Sequence, residues 1–261
     1  MIFWQFYLLH DVFCANVLMV HMIAKAVQWI GQRARQEDAY TVRFYPDGVL
    51  ALVCDGMGGH HDGALASTIA VETYQRSFEK HPDMPLNKRM YHALEVANET
   101  IRRTFERRSV YGGTTLLAAW VGAGCIRWVS VGDTALYLWR HGRLIRLNDD
   151  HSYRDMYRGY IGAGMTAQEA LRRGHVLRAA VTGEPLDLVD APALPYPLLP
   201  GDRIILTSDG SENILAPEML NHVGRAILNN RCGNLPVDIV EACKALNDPY
   251  ADNTTIVSID I

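Results

Sequence analysis

Two apolar runs in this chain end on an aspartate followed by glycine. Val49-Leu50-Ala51-Leu52-Val53-Cys54 leads into Asp55-Gly56, and Ile204-Ile205-Leu206-Thr207-Ser208 leads into Asp209-Gly210. A third acidic residue, Asp252, followed by Asn253, comes just before the last apolar run, Thr255–Ile259. Buried strands that end on carboxylates bring those charges to one rim of a sheet, and carboxylates held together away from water need a cation. An all-oxygen ligand set favours magnesium or manganese over zinc. No cluster of His and Cys competes for a softer metal. Glycine after each aspartate lets the backbone turn sharply and lets a carbonyl approach a ligand. One Asp-Gly is commonly a plain turn; two after apolar runs, with a third carboxylate before another, point to one metal site.

The elements that must position these residues follow from the hydrophobic pattern. Residues 26–31 and 39–45 alternate like strands, and Pro46-Asp47-Gly48 turns the chain into a strand over 49–54. Apolar positions at helical spacing predict helices over 62–80 and 86–108, separated by Pro82 and Pro85. Strands are predicted over 114–121, 125–131, 135–140 and 143–147, with hairpin turns at Gly122-Ala123-Gly124 and His141-Gly142. Residues 148–190 are less regular, with a short helix expected from Thr166 and Glu169 completing its capping box. A strand over 203–208, helices over 216–229 and 235–247 and the final strand close the chain. Strands and helices come in blocks, which argues for antiparallel sheets covered by helices and against a doubly wound parallel sheet. Two antiparallel sheets face to face, with helix pairs outside, satisfy the pattern.

With 261 residues, 49% of them hydrophobic, and a formal charge of −4, the chain has ample material for one core. The mild negative charge and the lack of a basic run interleaved with aromatics argue against a nucleic-acid surface. Arg102, Arg103, Arg107 and Arg108 suit the solvated face and C-terminal end of a helix. The five cysteines are odd in number and show no metal-type spacing, which favours a reducing cytoplasm. Residues 1–24 form a mostly apolar extension. His10-Asp11, Asn16 and His21 interrupt it, and a central Asp costs about 2.5–3.5 kcal/mol on membrane insertion. It lacks the basic start of a signal peptide. An element added to the domain, an anchor, and upstream sequence ahead of a start at Met19 or Met22 remain as readings, with membrane association the least favoured.

The chain resembles a known family at seven places in order: Arg33-Ala34-Arg35-Gln36-Glu37-Asp38, Asp55-Gly56-Met57-Gly58-Gly59-His60, Gly113-Thr114-Thr115, Ser130-Val131-Gly132-Asp133-Thr134, Asp150-His151-Ser152, Ser208-Asp209-Gly210 and Asp252-Asn253. This set is similar to that of the metal-dependent protein phosphatases (PPM, or type 2C serine/threonine phosphatases), bacterial branch, and runs from about Lys25 to Ile261. The resemblance implies an α+β fold, a four-layer α-β-β-α sandwich, with a binuclear Mn/Mg centre at one end of the sheets. It implies that Asp55 bridges both ions, that the carbonyl of Gly56 binds one, and that Asp209 and Asp252 complete the other. Glu37 and Asp38 fall in or next to this ligand set, and Asp133, sharing with Asp209, matches the place of a third, weaker ion. A water activated between two ions attacks phosphoserine or phosphothreonine directly. Arg33 suits bidentate contact with phosphate, and His60 or His61 is the natural proton donor to the leaving alkoxide.

Plainer uses stand beside these. Arg33 is alternatively a surface arginine, His60 a loop residue or a ligand of metal-bound water, and Asp133 a turn cap. His151-Ser152 buttresses its loop, and His175 either meets substrate or sits on the surface. Three departures from the family pattern bear on substrate choice: Gln36 in place of Asn, a loosely matched stretch at Val176 to Val181, and Ser211-Glu212 where an apolar residue is common. The expected function is a Mn/Mg-dependent phosphoprotein phosphatase, monomeric and opposing a bacterial serine/threonine kinase. A catalytically weak phosphoprotein-binding relative and a two-metal nucleotide phosphoesterase are the alternatives. The first usually lacks a core ligand that is present here, and the second needs a basic groove that is absent.

Overall fold

The computed structural model describes residues 22–58, 62–160, 164, 166, 174–215 and 220–261. Residues 1–21 of the extension read over 1–24, the expected capping residue Glu169, and the His60-His61 pair lie outside the described residues, whereas Ile23 and Ala24 belong to the first strand.

Burial on both faces explains the unbroken apolar runs. All seven residues of β3 (Gly48–Cys54) are buried. Its side chains alternate, as the pleat requires: Leu50, Leu52 and Cys54 enter one core cluster and Val49, Ala51 and Val53 another. β3 pairs with β2 (Ala39–Tyr45) and with β6 (Leu116–Gly122), which pairs with β7 (Cys125–Val131). The edge beyond β7 is the two-residue strand β10 (Tyr196–Pro197), an edge position that suits a proline. The second sheet runs β1 (Ile23–Trp29), β12 (Thr254–Asp260), β11 (Arg203–Thr207), β8 (Ala135–Arg140), β9 (Arg143–Arg146). Every pairing is antiparallel.

Three apolar layers hold these sheets. Between them lie Val49, Ala51, Val53, Leu117, Leu138, Ile204 and Val257. Outside the first sheet, α1 (Asp62–Lys80) and α2 (Leu86–Arg108) bury Ala70, Tyr74, Phe78, Leu94 and Ile101 against it. Outside the second, α4 (Glu212–Leu215), α5 (His222–Asn229) and α6 (Leu235–Ala245) cover Tyr137, Ile205 and Ile256. The order of layers is helix, sheet, sheet, helix, as expected.

The differences from the sequence reading are local. The first strand covers 23–29, not 26–31, because it pairs along the whole of β12. The strand expected over 114–121 breaks into β5 (Gly113–Thr114) and β6, since Thr114 pairs with Gly56 of the short strand β4 (Gly56–Met57). A short helix, α3 (Arg154–Gly159), forms where no element was expected. The helix expected over 216–229 is described only as α5; residues 216–219 lie outside the described set.

Candidate metal centre

Strand register brings five aspartates to one end of the sandwich. Thr207 at the end of β11 lies opposite Ile256 near the start of β12, so Asp209 and Asp252 leave neighbouring strands on the same rim. Thr207 also lies opposite Ala135, which sets Asp133 beside Asp209. In the facing sheet Cys54 pairs with Ala39, which sets Asp55 beside Asp38. Asp55, Gly56, Asp133, Asp209 and Asp252 line one cleft of about 750 Å³, together with Arg33, Glu37, Met57 and His175. Asp38 lies behind them and is buried.

Backbone and side-chain contacts hold Asp55, Asp38 and the loop that carries Arg33. The Asp55 N–H donates to Thr115 Oγ1 (2.9 Å), and the Asp55 carbonyl accepts from Thr115 N–H (2.8 Å) and Thr114 Oγ1 (2.9 Å). Asp38 Oδ2 accepts from Ser208 Oγ and Thr255 Oγ1, both at 2.7 Å. Asn253 clamps the loop between β1 and β2: its Nδ2 donates to the carbonyls of Ile30 (2.8 Å) and Arg35 (2.9 Å), and its Oδ1 accepts from Glu37 N–H (2.7 Å). That loop carries Arg33, whose guanidinium pairs with Asp252 at the cleft mouth. A Cβ on Gly56 would stand 2.3 Å from the Gly63 carbonyl and 2.5 Å from that of Glu37, so only glycine lets α1 close on this turn.

The electrostatics ask for cations. Burial, and then the charges of Asp38, Asp209, Asp133 and Asp252, hold the Asp55 carboxyl well above the usual carboxylate range. Burial is the main cause for Asp38 and Asp133 as well, each pushed up to about 7, and Asp209 adds to both. Asp252 is raised by burial and by Asp209. Among the described residues no donor reaches the buried Oδ1 of Asp38 or of Asp209. Desolvated oxygens without donors, crowded by like charges, are what a hard divalent ion satisfies. The residues present therefore fit magnesium or manganese.

Around this core the structure assigns partners that sequence reasoning did not. His151 is buried; its Nδ1 accepts from Gly132 N–H (3.3 Å), and burial lowers its pKa. It buttresses the loop before Asp133. Arg154 lies buried against Asp150, Glu212 and Asp133. No local pattern marked Arg154, although Glu212 was visible as a departure. His175 Nδ1 lies 3.6 Å from Asp209 Oδ2, which raises the imidazole pKa.

A family profile described as "Protein phosphatase 2C" matches residues 28–231. Serine/threonine protein phosphatase PstP of Mycobacterium tuberculosis is 28% identical over 239 residues, which cover 88% of this chain and 43% of that protein. The chain thus spans less than half the length of this relative. Serine/threonine phosphatase stp of Listeria monocytogenes is 28% identical over 174 residues, 64% of this chain and 68% of that one. Among solved structures, the PPM Ser-Thr phosphatase MsPP from Mycobacterium smegmatis, in complex with cacodylate, aligns with a TM-score of 0.69 at 28% identity, covering 92% of this chain and 98% of that one. The catalytic domain of PstP in complex with two manganese ions aligns with a TM-score of 0.71 at 25% identity, covering 92% and 97%.

Proposed function

The chain belongs to the protein phosphatase 2C family, and from that premise we propose that it is a Mn/Mg-dependent phosphatase of phosphoserine and phosphothreonine in proteins. The observation that carries the proposal is the meeting of Asp55, Asp209 and Asp252 at one cleft with Asp38 buried behind them, where among the described residues no donor reaches Oδ1 of Asp38 or of Asp209. In this reading Asp55 would be the ligand common to two ions, the Gly56 carbonyl would help hold one, and Asp209 and Asp252 would help hold the other, with Asp38 and Glu37 in support. When bound, the ions supply Lewis acidity toward the phosphoryl group and an activated water as nucleophile.

The protein's own groups do the rest. Arg33, half-exposed at the cleft mouth, exchanges its contact with Asp252 for the phosphoryl oxygens of the substrate, where a planar guanidinium can donate twice. Asn253 holds the loop that aims Arg33. Met57, Val176 and Leu177 give the cleft wall apolar surface for the substrate chain. The proton for the leaving alkoxide is assigned to His60. A phosphoprotein-binding relative without turnover is disfavoured, because each carboxylate of the proposed ligand set is present. We place the protein in the cytoplasm as a monomer opposing a serine/threonine kinase. Among the described residues no helix is long and apolar enough to cross a membrane.

The deciding measurement is hydrolysis of p-nitrophenyl phosphate and of a phosphothreonine peptide with Mn²⁺ and with EDTA. Turnover is expected only with the metal, and Asp209→Asn should lower it by more than about 100-fold, beyond what loss of a residue that merely supports a ligand costs. Metal-independent turnover, or full activity in Asp209→Asn, would overturn the assignment.

A further inference from the structure

We infer that Arg154 is a resident cation of this centre, standing where a third metal ion would otherwise be drawn, so that the protein saturates at two ions. The inference rests on the two-ion reading above.

Arg154 opens α3 and is 5% exposed. Its Nη2 lies 2.5 Å from Glu212 Oε1 and 3.9 Å from Asp133 Oδ2, and its Nη1 lies 3.2 Å from Asp150 Oδ2. Arg146 completes the group: Nη1 pairs with Asp150 Oδ2 at 2.8 Å and Nη2 donates to the Asp133 carbonyl at 2.7 Å. A guanidinium cannot be deprotonated in a protein, so these charges are permanent.

The charges around the cleft then account for themselves. Asp38, Asp55, Asp209 and Asp252 match two divalent ions, while Glu37 and Arg33 on the cleft wall offset each other. Asp133, Asp150 and Glu212 face Arg146 and Arg154, which leaves one negative charge uncovered. A third divalent ion would exceed it, in a desolvated place beside a fixed cation where repulsion is poorly screened.

Oxygens of Asp133 and Asp209 and a ring nitrogen of His175 lie within 4.8 Å of one another, a grouping found nowhere else among the described residues. An ion there is the competing arrangement, and it would have to share Asp133 with Arg154. Glu212, which holds Arg154 most closely, stands at the Ser211-Glu212 departure from the family pattern. The acid and the arginine are thus a matched pair, and their meeting explains a departure that had no reason in the sequence alone.

The test counts ions. The full chain is dialysed to equilibrium against millimolar Mn²⁺, and bound manganese per chain is measured, with circular dichroism reporting the fold. Two ions are expected on the wild type and on Arg154→Lys, and three on Arg154→Gln. Three ions on the wild type, or two on a folded Arg154→Gln, would overturn the inference. Should Arg154→Gln not fold, Asp133→Asn decides: an unchanged count of two supports the inference, and a drop below the wild-type count overturns it. Fewer than two ions on the wild type would instead remove the two-ion reading, and the inference with it.

Discussion

Asn253 illustrates how one side chain can set a site it does not itself form. Its three hydrogen bonds hold the loop between β1 and β2, and with it Arg33, Glu37 and Asp38. Asn253→Ala removes these three hydrogen bonds. Each such loss costs about 1 kcal/mol or more, so a loss of about 2–3 kcal/mol is expected in urea unfolding. Manganese affinity should fall about 10- to 100-fold, the usual effect of removing a group that orients ligands. Unchanged affinity by calorimetric titration would count against this role. The residue was legible in the sequence as half of Asp252-Asn253, but its work was not, because its partners lie more than two hundred positions away.

Among the elements, β11 and β12 matter most, since between them they present Asp209 and Asp252. They are tied at their far end by Arg203, a wholly buried arginine. Its Nε pairs with Asp260 Oδ1 at 2.5 Å, and its Nη1 donates to the carbonyls of Leu228 (2.9 Å) and Asn230 (3.1 Å). One guanidinium thus joins two strands to the end of α5. Truncation to Ala leaves Asp260 with only the 3.4 Å contact to Arg231 and takes the donor from two carbonyls, so the loss is expected at or below the about 3–5 kcal/mol of a fully buried pair broken on one side. Chemical denaturation of Arg203→Ala should show that loss while the manganese count of the folded protein stays the same, because the arginine is at the opposite end of the strands from the cleft. A shifted count would mean that the strand ends move together. The alternation within β3 and the helical spacing within α1 and α2 were readable residue by residue. The short helix α3 was not, since its burial of Arg154 depends on carboxylates from three other segments.

At the scale of the whole molecule, the carboxylate cluster makes stability depend on pH in an unusual direction. Asp38 and Asp133 move from 3.8 to about 7 on folding without metal. Below about pH 4 both the folded and unfolded chains hold these protons; between about 4 and 7 only the folded chain does. Unfolding then releases protons, so the metal-free protein should lose stability as pH rises through that window. Thermal melts in EDTA should give a higher Tm at pH 5 than at pH 7.5. Saturating Mn²⁺ should raise the Tm at pH 7.5, by an amount worth about 2.7 kcal/mol at a hundred times the dissociation constant, and weaken or reverse the slope. A metal-free Tm that climbs with pH across this range would contradict the arrangement.

By itself the sequence determined the main strands, the two long helices and the identity of the acidic residues at the strand ends. Strand alternation, helical spacing and Asp-Gly breaks are local patterns, and local patterns survive in a linear text. Which strand ends become neighbours was decided only by tertiary structure, through register across long separations: Ser208 reaching Asp38, Ala135 opposite Thr207, Arg154 lodged between Asp133 and Glu212. Carboxylates far apart in sequence acquire shared charge and raised pKa only when folding excludes the water between them.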